Sequence, residues 1–235
     1  MQIIHPFYLW QILVRCFFIP FFIHFRFCKR KYILSLYALL ILNYIVMDLK
    51  KIQIRQTNKN DFDNIMNVEK QAFGYDKEAK LVAELLDDRT AEPRISLLAF
   101  YNNKVIGHIL FTRAYIEGIE ECPMIHILAP LAVIPEFQGK GIGKLLINTG
   151  FQLLKEKGTH LIFVLGHKEY YPKCGFIPDA KSLGYPAPYP IPEEYADCWM
   201  VIPISKKSFD VGKGKIKCSE VLNRIEHWRD EESDR

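Results

Sequence analysis

The densest chemistry in this 235-residue chain lies between Leu131 and Phe176. Val133-Ile134-Pro135-Glu136-Phe137 leads through a proline-marked turn into Gln138-Gly139-Lys140-Gly141-Ile142-Gly143, where a helical pattern begins. A glycine-rich loop that opens a helix turns several backbone N–H groups, and the positive end of the helix dipole, toward one small volume. A phosphate or pyrophosphate is the natural occupant, because a Cβ in the loop would forbid the backbone angles or hold the anion away. Two commoner phosphate loops are excluded by spacing: GxGxG is neither the GxGxxG of dinucleotide folds nor a P-loop. Taken alone, the triplet is equally well a tight strand–helix turn whose glycines serve packing. Further along, Gly166-His167 and Tyr170-Tyr171 place an imidazole, poised near neutral pH, close in sequence to two phenols. The plainer reading of His167 is a structural histidine at a strand end.

The surrounding elements alternate strand and helix. Residues 51–56 alternate in period 2 and read as a strand. Asn58 to Asp61 is cap chemistry, after which Phe62, Ile65, Met66, Val68, Glu69 and Phe73 recur at helical spacing up to Gly74. A second helix is expected over residues 77–87, with Leu81, Val82, Leu85 and Leu86 inward. Residues 95–101 and 105–115 flank Asn102-Asn103-Lys104 as a hairpin. A strand over 125–133, a helix over 141–157 closed by Gly158, and a buried strand over 160–165 form a right-handed parallel crossover. A helical turn at 170–174, an irregular stretch from Phe176 and a closing strand over 199–204 complete an α/β unit with a mixed sheet. Residues 219–235, mostly polar or charged, read as a solvated tail or helix.

The central segment resembles the GNAT superfamily of acetyl-CoA-dependent N-acetyltransferases. Its Gln/Arg-x-x-Gly-x-Gly/Ala signature is matched by Gln138 to Gly143, its apolar-x-Val-x-Pro strand end by Leu131-Ala132-Val133-Ile134-Pro135, and its Tyr-x-x-x-Gly-Phe signature by Tyr171-Pro172-Lys173-Cys174-Gly175-Phe176. The order of elements across residues 51–204 is similar to the whole fold. Gly166-His167-x-x-Tyr170-Tyr171-Pro172 and the segment 212–216 look most like the bacterial YhbS-type branch. The resemblance implies a mixed, centrally splayed β-sheet flanked by helices. In that fold the pyrophosphate of acetyl-CoA sits on Gln138, Gly139, Lys140, Gly141, Ile142 and Gly143. The pantetheine arm adds like a strand to the backbone of Leu131, Ala132 and Val133. An amine substrate then attacks the thioester directly, with acetyl-CoA as acetyl donor.

Tyr171 sits where such enzymes place a tyrosine that protonates the departing thiolate, and a phenol is a competent donor for that task. Tyr170 reads as an amphipathic residue packed over the sheet. The chain departs from the family pattern in two places: Gly166-His167 replaces an upstream asparagine, and Ala129-Pro130 stands where many relatives carry a glutamate base. His167 is therefore the leading candidate base, ahead of His126, Glu136 or a water. The proline-rich stretch 185–192 is either a wall of the amine pocket or a covering loop. Without the missing carboxylate, a coenzyme A-binding sensor that does not turn over is the alternative to an enzyme.

Composition narrows the rest. The chain is 49% hydrophobic and 25% charged, an ordinary globular mixture. Residues 1–46 hold five of the 31 Lys and Arg and no Asp or Glu, so 26 basic residues face 27 acidic ones from Met47 onward. That balance argues against a nucleic-acid partner, and six cysteines without a CxxC pair argue against a metal site. The apolar extension 1–46 has two stretches, 3–25 and 32–46, parted by Arg26, Lys29, Arg30 and Lys31. The first carries Arg15, a charge costing about 2.5–3.5 kcal/mol at a membrane centre; the second falls short of the roughly 20 residues a span needs. The economical expectation is a start at Met47, a domain over 47–218 and a cytoplasmic location. A membrane anchor is the alternative, and a homodimer stays open.

Overall fold

The computed structural model describes residues 49–119, 123–204 and 208–228. The expectations for residues 1–46, late start or anchor, and for residues 229–235 lie outside the described residues. Seven strands among them form one sheet in the order β1 (Gln53–Gln56), β2 (Ile95–Tyr101), β3 (Lys104–Ile116), β4 (Ile125–Val133), β5 (Leu161–Leu165) and β6 (Trp199–Pro203). The short β7 (Ile216–Cys218) pairs with the far end of β3. Every pairing is antiparallel except β4 with β5. Asn102 and Asn103 make the β2–β3 turn at φ 49° and 63°. Asparagine tolerates that left-handed conformation, which matches the twist of a hairpin.

Helices α1 (Phe62–Phe73) and α2 (Lys77–Asp87) cover one face of the sheet, and α3 (Ile142–Glu156) covers the other. Alternation along β3 sends Leu110 toward Ile65, Val82 and Leu85, and Phe111 toward α3. Gly150 allows the second contact, since a Cβ there would run into the Phe111 ring. The α1 stripe buries Ile65, Val68 and Glu69, while Phe62 is 46% exposed at the helix's first position.

The expected splay is seen in the register. The β4–β5 ladder runs from Ile125 opposite Leu161 to Leu128 opposite Val164 and stops. Beyond it β4 stays paired to β3 through Leu131, Ala132 and Val133, while its other edge is left without a strand partner among the described residues. Apart from the Val133 carbonyl, which accepts from Gln138 Nε2, that edge offers backbone groups that an extended ligand can complete.

Residues 219–228 depart from the solvated tail expected of them. Val221, Leu222 and Trp228 are buried, and the Trp228 ring packs edge-on against Trp199 at 5.6 Å between centroids. The backbone N–H groups of Glu220 and Val221 donate to Thr90 Oγ1 and Asp88 Oδ2, tying the segment to the end of α2. Three apolar anchors outweigh the polar composition around them. The proline-rich stretch packs inward too: Tyr185 is fully buried, and its carbonyl accepts the Trp199 Nε1 hydrogen. It covers the core.

Candidate active site

The glycine loop is built open-handed. Gly139 and Gly141 take φ values of 71° and 85°, a region that suits glycine, and a Cβ added at either would meet nothing closer than 3.9 Å. Among the described residues, none fills the space next to these two glycines. Gly141 is the N-terminal cap of α3, no side chain caps the helix, and its first turn carries no acidic residue. The first intrahelical bond runs from Leu145 N–H to the Gly141 carbonyl, so the N–H groups of residues 142–144 precede the ladder and remain for a ligand. Two side chains hold the loop in shape: Gln138 Nε2 donates to the Val133 carbonyl at 2.9 Å, and Lys140 Nζ to the Glu136 carbonyl at 2.8 Å. Both stabilise the turn between β4 and α3, which joins the β4 edge directly to the uncapped helix end.

The two tyrosines lie in a short 3₁₀ turn after β5, where adjacent side chains face different surroundings. Tyr171 is buried, its ring lying against Gly166 and edge-on to Phe176 at 5.5 Å. Burial pushes its phenol well above the ordinary value, and the neighbouring Tyr170 adds to the effect. Tyr170, expected to pack over the sheet, is half-buried. Its hydroxyl rests against Gly143 in the first turn of α3 and shares a hydrogen bond with the Cys174 side chain. Burial raises its pKa to about 12.

The remaining sequence candidates separate clearly. His167 is exposed and lines an open cavity of about 610 Å³, together with Tyr170, Glu169, Glu194 and Tyr195. His126 is fully buried, with Nε2 donating to the Pro93 carbonyl at 2.8 Å and Nδ1 accepting from Thr159 Oγ1 at 3.1 Å. Desolvation lowers its pKa to about 4, helped by the charge of Arg113. It is a neutral structural residue. Glu136 is exposed and paired with Lys104 Nζ at 2.6 Å.

The family model for the acetyltransferase (GNAT) family matches residues 62–176. The uncharacterized N-acetyltransferase YjhQ of Escherichia coli (strain K12) is 52% identical over 164 residues, covering 70% of this chain and 90% of that protein. The chain belongs to the GNAT family. A second E. coli member, YhbS, is 32% identical over 108 residues, 46% of this chain and 62% of that one. The crystal structure of YhbS in complex with CoA superposes with a TM-score of 0.66 at 26% identity, over 74% of this chain and 93% of that one. A GNAT acetyltransferase from Brucella melitensis in complex with acetyl-CoA gives a TM-score of 0.57 at 25% identity, covering 73% and 97%. The residues of this site fit such a ligand. The α3 N-terminus offers uncapped N–H groups with no opposing carboxylate, and the free β4 edge continues from it.

The GNAT reading of the sequence missed one feature entirely. Glu69 Oε1 lies 2.5 Å from His108 Nδ1, and His108 Nε2 lies 2.9 Å from Ser96 Oγ. Glu69 and His108 are completely buried. A carboxylate within the apolar stripe of α1, and a histidine between the apolar residues of β3, were the only signals. Among the described residues no helix is long and apolar enough to cross a membrane.

Proposed function

We propose that the protein transfers the acetyl group of acetyl-CoA to a primary amine by direct attack in a ternary complex. The observation that carries this reading is the continuity of three features: the free β4 edge at residues 129–133, the open N-terminus of α3, and the cavity reached past Tyr170. The loop from Gln138 to Gly143 holds the pyrophosphate, and the backbone of Leu131, Ala132 and Val133 holds the pantetheine arm as an added strand. The acceptor enters through the cavity, whose wall carries Lys168 and Lys173 as well as Glu169 and Glu194.

In the transfer the amine lone pair forms a C–N bond at the thioester carbonyl and the C–S bond breaks. Tyr171, kept protonated by its burial, gives its hydrogen to the departing thiolate. His167 stands on the cavity wall where it orients the acceptor or relays its proton through water. The working unit begins at Met47 and operates in the cytoplasm, where acetyl-CoA is made.

A second reading, a coenzyme A-binding module without turnover, draws on Ala129 in place of a carboxylate. Thiol release from acetyl-CoA, measured against polyamines, aminoglycosides, amino acids and peptides, decides between them. Acceptor-dependent release supports the enzyme; tight binding with no release for any amine supports the module.

A further inference from the structure

The cavity beside Tyr170 lies where β5 ends and β6 begins. One wall is the turn that follows β5, residues 167–173, and the other is the 3₁₀ turn Glu193–Cys198 that precedes β6. The two strands pair antiparallel up to Leu165 opposite Trp199, and the Gly166 N–H then donates to the Cys198 carbonyl at 2.9 Å. That last rung fixes the spacing of the two walls. A volume of about 610 Å³ falls in the range of small-molecule sites and holds one small molecule.

Four of its lining residues are charged, Lys168 and Lys173 against Glu169 and Glu194. Among the described residues none of the four makes an ion pair or a side-chain hydrogen bond. Exposed opposite charges elsewhere find one another, Lys104 with Glu136, Lys217 with Glu117 and Arg224 with Glu84. The four charges sum to zero, so the cavity selects by pattern rather than by overall sign. A polyamine or aminoglycoside drawn to the carboxylates also meets two ammonium groups, and a dianion meets two carboxylates; like charges brought together cost affinity. A molecule with one group of each sign satisfies both sets. Tyr170 and Tyr195, one on each wall, add aromatic faces that favour an ammonium. The lysines share their wall with the phenols of the transfer, Lys168 two residues before Tyr170 and Lys173 two after Tyr171.

We infer that the acceptor is a small amphoteric amine, a primary amine whose molecule also carries an anionic group such as the carboxylate of a free amino acid. Lys168 and Lys173 receive the anion, and Glu169 and Glu194 the ammonium. The inference rests on the acetyltransferase reading and narrows its acceptor. R–NH₃⁺ and the thioester give the amide, the free thiol and one proton released to solvent: the C–N bond forms as the C–S bond breaks. Acetylation turns the ammonium into a neutral amide, so the product keeps its hold on the lysines and loses its hold on the carboxylates.

The test measures kcat/KM by thiol release for free amino acids, an aminoalkyl phosphate, the carboxamides of the same amino acids, polyamines and aminoglycosides. Wild type is compared with the double variants Lys168→Gln/Lys173→Gln and Glu169→Gln/Glu194→Gln; all four positions are exposed, so the fold is not at stake. Wild type should prefer an amphoteric amine over the matching carboxamide and over the polycations by about tenfold, the scale of two partly exposed charge contacts. A lead by the amino acids assigns a carboxylate and a lead by the aminoalkyl phosphate assigns a phosphate, and either supports the inference. The lysine variant should erase the preference of amino acid over carboxamide, whereas the glutamate variant should lower both alike. Calorimetry should give acetyl-CoA affinity within a few-fold of wild type in each variant. A polyamine or aminoglycoside used better than every amphoteric amine overturns the inference and leaves the transferase reading standing. So does a preference for amino acid over carboxamide that survives in the lysine variant, or a loss of acetyl-CoA affinity there, which would assign the lysines to the cofactor. Absence of release by wild type with every amine overturns both readings.

Discussion

The hydroxyl of Tyr170 occupies the space that a side chain on Gly143 would fill. One glycine therefore has two tasks: it leaves the helix end open to a ligand, and it admits a phenol from the turn after β5. Gly143→Ala should push Tyr170 aside and weaken acetyl-CoA binding about tenfold, or about 1.4 kcal/mol. Adding Tyr170→Phe removes the clashing oxygen, so the double variant should melt at a higher temperature than Gly143→Ala alone. Additive melting shifts in this double-mutant cycle would show that the two groups do not meet.

At Gly141 the constraint is conformational rather than steric, since φ is 85° and, among the described residues, only the Leu49 Cδ1 atom lies within 4 Å of an added Cβ, at 3.9 Å. Gly141→Val is expected to abolish measurable acetyl-CoA binding by calorimetry while far-ultraviolet circular dichroism stays near wild type. Unchanged affinity in the folded variant would dissociate the loop from the pyrophosphate.

Tyr171→Phe keeps the ring packed against Gly166 and Phe176 and removes only the hydroxyl. Turnover should fall by about 10²–10⁴ with acetyl-CoA affinity within a few-fold. Full turnover under conditions where chemistry limits the rate would make Tyr171 a packing residue.

His126 makes stability depend on pH. Its pKa is about 4 in the folded protein against 6.5 for the ordinary group, so the unfolded chain binds the proton first. Its contribution is intact above pH 6.5 and is lost as pH falls from there toward 4, roughly 3 kcal/mol in all. Glu69, whose pKa is raised, acts in the opposite sense over the acid range. His126→Gln should flatten the decline in melting temperature between pH 7 and pH 4 relative to wild type. An equally steep decline in the variant would assign the acid sensitivity elsewhere.

Much of the fold was legible because local signals were strong and consistent. The asparagine turn, the capped 3₁₀ turn Lys59–Asp61 that leads into α1 and the proline-to-glycine passage from β4 into α3 each carry their own chemistry in adjacent residues. What escaped notice was long-range. Strand β7 is three residues long, too short to show a period, and exists because β3 is long enough to hold it. Glu69 and His108 are 39 residues apart, and only the packing of α1 on β3 brings them together. Tyr170 and Tyr171 are neighbours of the same type, so the path of a single 3₁₀ turn decides which of them reaches α3 and which the core.

The docking of Trp228 on Trp199 has a consequence for how the molecule comes into being. Both rings seal the layer that α1 and α2 build near the start of the unit, and the N–H groups of Glu220 and Val221 reach residues 130 and more positions earlier. Contacts of such sequence separation form slowly, because the loop they close must be ordered first. A chain synthesised only as far as β6 holds the glycine loop and six of the seven strands while its inner layer lacks the Trp228 segment, leaving Trp199 and its neighbours open to water.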